Sequence, residues 1–286
     1  MRTEIGDRDR ETMRADADGD PNGDEKGNDR HTSGGADDSA TEGTSIEERR
    51  PSEPQGDRPR IALLNAAQLA EPTRRNFRRV LDADLTAFHA PSGELPESLR
   101  YDGVVITGSW ASVYWDREWI GRLKAWIGDA VEAGVPTLGV CYGHQLLADV
   151  LGGRVASMDE YELGYRTVEQ DGENRLLDGL DETFTVFTSH SDRVVEAPPG
   201  ATVFARNDYG IHGFRRGRVF GVQFHPEYDP EMAERVTRRK DDQLPDERIR
   251  SVLDGITPAN YAAAREATRL FDNFTEYVLD ASRRTE

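Results

Sequence analysis

The chain of 286 residues has one cysteine, three lysines and no apolar run of membrane-spanning length. A single cysteine, Cys141, excludes an internal disulfide framework and a cysteine-rich zinc site. Basic charge is outweighed: 36 Lys and Arg against 54 Asp and Glu leave a net charge of −18, which argues against nucleic acid as a partner. Only Lys26, Lys124 and Lys240 among the 36 basic residues are lysine. An acidic, lysine-poor composition resembles that of proteins from salt-loving microbes, where ions screen self-repulsion. The opening "MRTEIGDRDR" has no apolar stretch, so no secretory leader and no membrane span are expected, and the expected location is the cytoplasm.

Residues 1–58 lack aliphatic runs and are dense in Asp, Glu, Gly, Ser and Arg. Such a segment cannot bury enough apolar surface to offset its ordering entropy and is read as a disordered acidic tail. Its "SGGADDS" (33–39) is similar to a phosphate-binding loop, but it has one residue too many for that loop and no strand before it. It is read as low-complexity sequence. Residues 59–286 form the expected single domain.

What is present in that domain is alternation. "RIALLNAA", "DLTAFHA", "YDGVVITGS" and "VPTLGV" are strand-like. They are separated by the helical patterns "EPTRRNFRRVLDA" and "DREWIGRLKAWIGDAVEAG", the latter with Trp119, Ile120, Leu123, Trp126, Ile127 and Val131 on one side. This predicts an α/β fold with a mostly parallel central sheet and helices on both faces. From about residue 160 shorter strand-like pieces predict a mixed or antiparallel extension. Two closing helices are expected, "PEMAERVTRRKDD" and "PANYAAAREATRLFDNFTEYVLDAS". The basic run "RVTRRKDD" is read as a solvated helix end.

"GVCYGH" places Cys141 in a G-x-C-x-G turn between a strand and the helix "HQLLADVLGG". This is the form of an elbow that exposes a nucleophile. A thiol at a helix N-terminus meets the positive end of the helix dipole, which favours thiolate. A small buried cysteine is the plain alternative. "VFGVQFHPEY" sets His225 and Glu227 two residues apart at the end of an apolar strand. Positions i and i+2 of a strand share a face, so the carboxylate can hold the imidazole that serves the thiol. His190 and Asp192 in "TSHSD" have the same spacing, and spacing alone does not separate the two histidines. His31, His89, His144 and His212 compete less well. His144 is too close to Cys141, and His212 lies in a turn-rich segment.

"GVCYGHQLLA" with "GVQFHPEY", "YDGVVITGSWASVY", "ELGYRTVE" and "TSHSDRV" resembles the class I (triad) glutamine amidotransferases, in particular the glutaminase portion of GMP synthetase and its free-standing relatives. The resemblance runs across about residues 60–280. It implies Cys141 as nucleophile, His225 as base and acid, and Glu227 as orienting carboxylate. It also implies "TSHSD" as a substrate-side turn. Backbone N–H groups of Tyr142 and of Ser109 or Gly108 would hold the oxyanion, each worth ~3 kcal/mol. Gln145 and the turn containing Ser189, Ser191 and Asp192 would grip the amino-acid end of glutamine. Ser109 and Trp110 stand where the family's loop has a second glycine. No metal or cofactor is implied.

The expected chemistry is hydrolysis of the glutamine side-chain amide, with ammonia passing to a separate synthetase. The alternatives are a free-standing γ-glutamyl hydrolase or peptidase and, from another class, a non-catalytic binding or regulatory protein on the same fold. The intact Cys141, His225 and Glu227 count against the last. Trp110 and Tyr114 beside the oxyanion loop could shape a pocket for a larger amide.

Overall fold

Side chains that alternate along short strands decide which layer each covers. In β1 (Arg60–Asn65), Ile61 and Leu63 face one way, Ala62 and Leu64 the other, and all four are fully buried. The computed structural model describes residues 58–172 and 174–283. These residues fall within one compact unit, Glu53–Glu286. The tail expected over residues 1–58 lies outside them except for Arg58.

A nine-stranded sheet runs in the order β2-β1-β3-β4-β9-β8-β7-β5-β6. β2 (Asp84–His89), β1, β3 (Gly103–Ile106), β4 (Thr137–Val140) and β9 (Val219–Val222) are parallel. β8 (Gly210–Arg216), β7 (Thr202–Asn207), β5 (Arg154–Gln170) and β6 (Thr183–Glu196) continue the sheet antiparallel. The expected α/β architecture with an antiparallel extension is therefore observed. His212, expected in a turn, lies inside β8 and is buried.

Helices cover both faces of the parallel part. On one side, Phe77 from α1 (Ala70–Val80) and Leu270, Phe271, Phe274 and Val278 from the last helix pack on Ile61, Leu63, Val105 and Val140. On the other, Ile120, Leu123 and Ile127 of α2 (Glu118–Glu132) and Leu146 and Leu147 of α3 (Tyr142–Val150) pack on Ala62, Leu64, Val104 and Ile106. Each fully buried Leu, Ile or Phe contributes roughly 1.5–3 kcal/mol. Trp119, Trp126 and Val131 are only partly buried at the edge of that face.

The closing segment forms four helices instead of two: α4 (Pro230–Arg238), α5 (Asp246–Asp254), α6 (Pro258–Arg265) and α7 (Arg269–Arg283). α4 and α6 start on capping side chains followed by proline. Asp229 accepts from the Met232 N–H at 2.8 Å and Thr257 from the Asn260 N–H at 3.2 Å. α5 offers only Ile249 and Val252 to the interior. That is too short a stripe for its sequence to announce it. Among the described residues no helix is long and apolar enough to cross a membrane.

Candidate active site

Cys141 follows β4 directly and precedes the first residue of α3. Its φ is 53° and its ψ −102°, and no other non-glycine among the described residues has a positive φ. That conformation costs of order 1–3 kcal/mol and persists only where the surroundings enforce it. They do so from both sides. The Cys141 N–H donates to the Val222 carbonyl at 2.8 Å, and its carbonyl accepts from the Gln145 N–H at 3.1 Å. The two glycines of the motif let the turn pack this closely. A Cβ on Gly139 would sit 2.3 Å from the Gly143 carbonyl oxygen, and one on Gly143 would sit 2.5 Å from that of Ile106.

The structure brings Cys141, His225 and Glu227 together. Nδ1 of His225 lies 2.8 Å from Oε1 of Glu227, both side chains are buried, and the Cys141 sulfur is near enough to favour charge on the ring. The strand argument for this pair is corrected: β9 stops at Val222, and His225 and Glu227 sit in the irregular segment that follows. Their meeting depends on the chain path. The His225 N–H bonds the Phe187 carbonyl of β6 at 2.9 Å, and Arg79 of α1 bonds the Glu227 carbonyl at 2.7 Å. Burial alone would lower the His225 pKa, but the Glu227 carboxylate and the Cys141 sulfur more than offset it and push it up to about 10. Protonated His225 donates from Nδ1 to the carboxylate.

Gly108 closes the site from the opposite side. A Cβ there would lie 2.7 Å from Cε1 of His225 and 3.6 Å from Cβ of Cys141. Tyr142 opens α3, where the first N–H groups have no partner within the helix. The hydroxyl of neighbouring Ser109 accepts from the Ala111 N–H at 3.2 Å. Trp110 and Tyr114 are exposed, and Trp110 packs edge-on against Trp115 at 5.2 Å. Trp119 packs beside Tyr142 at 5.9 Å.

The expected "TSHSD" turn is a correction of a different kind, since residues 188–192 lie inside strand β6. Ser189 stays near the sulfur: its carbonyl oxygen is 3.9 Å from Sγ of Cys141, and its hydroxyl is 3.3 Å from the Tyr161 hydroxyl. Ser191 is half-buried on the same strand. Asp192 is buried and its carboxylate is engaged by the loop after β3, accepting from Ser112 and from Tyr114 at 3.0 Å. Gln145 is also buried. Its Nε2 donates to the Asp192 carbonyl at 2.8 Å and to Oε1 of Gln223 at 3.1 Å, so both amide hydrogens are used inside the protein and none is left for a substrate.

The rival base is accounted for elsewhere. Nε2 of His190 lies 2.6 Å from Oε2 of Glu162, and its Nδ1 lies 2.9 Å from the Asp192 carbonyl. Its carboxylate partner is thus Glu162 across the β5–β6 pair and not Asp192. His144 is fully buried against Phe214, and burial pushes its pKa down to about 3. His89 bonds Ser92 at 2.6 Å and the Ala67 carbonyl at 3.1 Å, far along the chain from the elbow.

Two functional candidates had no role assigned from sequence. Tyr228 stacks on His225, and Glu162 anchors His190. They stand inside the motifs "HPEY" and "ELGY". Aromatic stacking and cross-strand pairing, however, leave no spacing signature. Glu162, His190 and His212 are also a set of possible metal ligands, with atoms within 4.8 Å of one another. The 2.6 Å approach of His190 to Glu162 is a hydrogen bond. Two ligands of one zinc ion would stand roughly 3.3 Å apart at bond lengths of about 2.0 Å.

Comparison with known proteins gives one family. The model for glutamine amidotransferase class-I matches residues 68–240. A GMP synthase [glutamine-hydrolyzing] of Vibrio vulnificus is 40% identical over 173 residues, 59% of this chain and 32% of that protein. One of Thermomicrobium roseum is 38% identical over 154 residues, 52% of this chain and 28% of that protein. The matched stretch therefore spans about a third of those relatives. A solved glutamine amidotransferase of Thermotoga maritima superposes with a TM-score of 0.65 at 23% identity, covering 77% of this chain and 98% of that one. A Thermoplasma acidophilum protein, proposed to be one of the GMP synthase subunits, superposes at 0.57 with 19% identity, covering 79% and 96%. At those identities the structures speak for the fold.

Proposed function

The chain belongs to the class I glutamine amidotransferases, and on that premise we propose that it hydrolyses the side-chain amide of glutamine through a γ-glutamyl thioester on Cys141. Sγ attacks the amide carbon, forming the S–C bond and a tetrahedral oxyanion. The backbone N–H groups of Tyr142 and of Gly108 or Ser109 receive that charge. His225, held protonated beside Glu227, gives its proton to the leaving nitrogen, and the C–N bond breaks to release ammonia. Neutral His225 then takes a proton from water as the hydroxide attacks the thioester, so glutamate leaves and the thiol pair is restored. Glu227 fixes the ring and stabilises its charge throughout.

The observation that carries this reading is the buried 2.8 Å contact of His225 with Glu227, with the Cys141 sulfur near the same ring. Ammonia release from glutamine by the wild type and by Cys141→Ala tests it. Loss of turnover in a folded Cys141→Ala protein is expected, and retained turnover overturns the assignment.

The matched relatives are GMP synthases, which supports delivery of the ammonia to a synthetase of the GMP synthase type, read here as a separate chain. The exposed aromatics Trp110 and Tyr114 favour the second reading, a hydrolase for larger γ-glutamyl amides. Turnover of such an amide well above that of glutamine, with no stimulation by a synthetase, would decide for it.

A further inference from the structure

Behind the site, half-buried Asn207 and five buried groups make one hydrogen-bonded line that crosses four elements and ends in the segment after β9. Nδ2 of Asn207 in β7 donates to Oε1 of Glu162 in β5 at 2.7 Å. Oε2 of the same carboxylate meets Nε2 of His190 in β6 at 2.6 Å. Nδ1 of His190 meets the Asp192 carbonyl at 2.9 Å, and that carbonyl also accepts from Nε2 of Gln145 in α3 at 2.8 Å. Gln145 donates its second hydrogen to Gln223 at 3.1 Å, two residues before His225. The line thus reaches the helix that Cys141 precedes, and the second hydrogen of the same Nε2 reaches the segment that carries His225.

The hydrogen positions follow from the acceptors. A backbone carbonyl only accepts, so Nδ1 of His190 carries a hydrogen. Glu162 accepts from Asn207 at Oε1 and shares one hydrogen with Nε2 of His190 at Oε2. Burial alone would raise the carboxyl of Glu162, but His190 and then His212 more than offset it and hold it well below the usual range. The other titratable neighbours are His212 in β8 and His144 in α3. His212 lies 3.2 Å from Glu162, off the line of a hydrogen bond. Burial lowers the pKa of both, so they add no charge. The Asp192 carboxylate is turned away to Ser112 and Tyr114.

We infer that Glu162 and His190 are positioning residues for the reaction: a buried, hydrogen-bonded carboxyl–imidazole pair that fixes the Asp192 carbonyl and, through Gln145, the placement of Cys141 relative to His225. This rests on the proposed role of Cys141. The two residues touch no substrate. A polar pair this deep adds little net stability over an apolar pair, but half of one is costly. It suits a strut that must have one geometry.

Glu162→Gln, His190→Gln and Gln145→Met are compared with Phe271→Leu, a core change remote from the line. Per folded enzyme, each of the first three is expected to lower glutamine kcat by about tenfold or more with KM within about threefold, and to slow alkylation of Cys141 by iodoacetamide. Glu162→Gln combined with Gln145→Met should cost less than the product of the single effects, because both cut one line. Phe271→Leu should lower the melting temperature without changing either rate. Nitrogen-15 spectra of the wild type should show a hydrogen on Nδ1 of His190, facing the Asp192 carbonyl, a readout that needs no variant to fold. A bare Nδ1, multiplicative costs, a parallel loss in Phe271→Leu, or one zinc per purified chain would each overturn the strut. Wild type without turnover, but with that Nδ1 hydrogen and line-dependent alkylation, would sink only the glutaminase reading.

Discussion

The ring of Tyr228 lies flat on that of His225, with centroids 4.0 Å apart and planes 13° from parallel. The histidine is buried and the tyrosine half-buried, and the Tyr228 N–H reaches the His225 carbonyl at 3.4 Å. A stacked phenol restricts the imidazole to rotation in its own plane, which keeps Nδ1 on Glu227. Burial, with Glu227 and Cys141 nearby, raises the Tyr228 hydroxyl well above its ordinary pKa, so it stays neutral and adds no competing charge. Tyr228→Phe keeps the stack and should retain near-normal kcat. Tyr228→Ala frees the ring and should lower kcat by about tenfold with a smaller change in KM. Equal losses in the two variants, measured by ammonia release, would assign the effect to the hydroxyl instead.

The two kinds of close glycine contact predict different failures. At Gly108 the added methyl would meet the His225 ring at 2.7 Å, so the clash falls on a catalytic candidate. At Gly139 it would meet the Gly143 backbone at 2.3 Å, which cannot move without displacing α3. Gly108→Ala should fold and melt close to wild type while losing about 100-fold or more in kcat. Gly139→Ala should lose several kcal/mol of stability or fail to fold. Circular dichroism melts beside kinetics separate the outcomes. An active Gly108→Ala protein would remove that loop from the site.

Much of this was legible in the sequence, and what was not had physical reasons. Ile61 to Leu64 and Val104 to Ile106 announced buried strands because apolar side chains mark a strand covered on both faces. The end of β6 was hidden: Thr188, His190, Asp192 and Val194 alternate inward, but three of the four are polar, and the family resemblance implied a turn at "TSHSD". The polar side chains are tolerated because each bonds a partner on β5 or in the loop after β3, which no local window contains. His225 and Glu227 illustrate the converse. Their spacing pointed to a working pair, yet β9 had already ended, and the contact is made by a loop tied to Phe187 and Arg79. Gln145 was recognisable as special, but that its Nε2 is held by Asp192 and Gln223, 47 and 78 positions away, was not.

The raised pKa of His225 gives a sign to the dependence of stability on pH. Its folded value, about 10, lies above the ordinary 6.5, so protonation favours the folded state. That contribution is complete below pH 6.5 and is lost as pH rises through about 10. Glu227→Gln removes the main attraction that offsets burial, so the histidine should titrate lower and the alkaline loss should shrink. Urea midpoints at about pH 6, 8 and 10 measure both proteins. A wild-type midpoint that holds steady across this interval contradicts the buried charged pair.

Salt should stabilise this protein despite screening its ion pairs. The surface pairs Arg60–Asp102, Arg154–Glu196 and Arg235–Glu231 are exposed on at least one side, and each is worth about 0–1 kcal/mol at most. Screening them therefore removes little. The opposing term is the self-repulsion of a net charge of −18 on 286 residues, which acts in the folded state more strongly than in the expanded chain. At molar salt the screening length falls to about 3 Å, shorter than most spacings between like charges on the surface. The excess of acid decides the sign, so the melting temperature should rise by a few degrees from low to molar KCl. A chaotropic potassium salt of equal ionic strength should produce a smaller rise, since it screens equally but weakens apolar burial. A melting temperature that falls with KCl would mean that the ion pairs outweigh the repulsion and that the arginine-rich acidic composition is not an adaptation to salt.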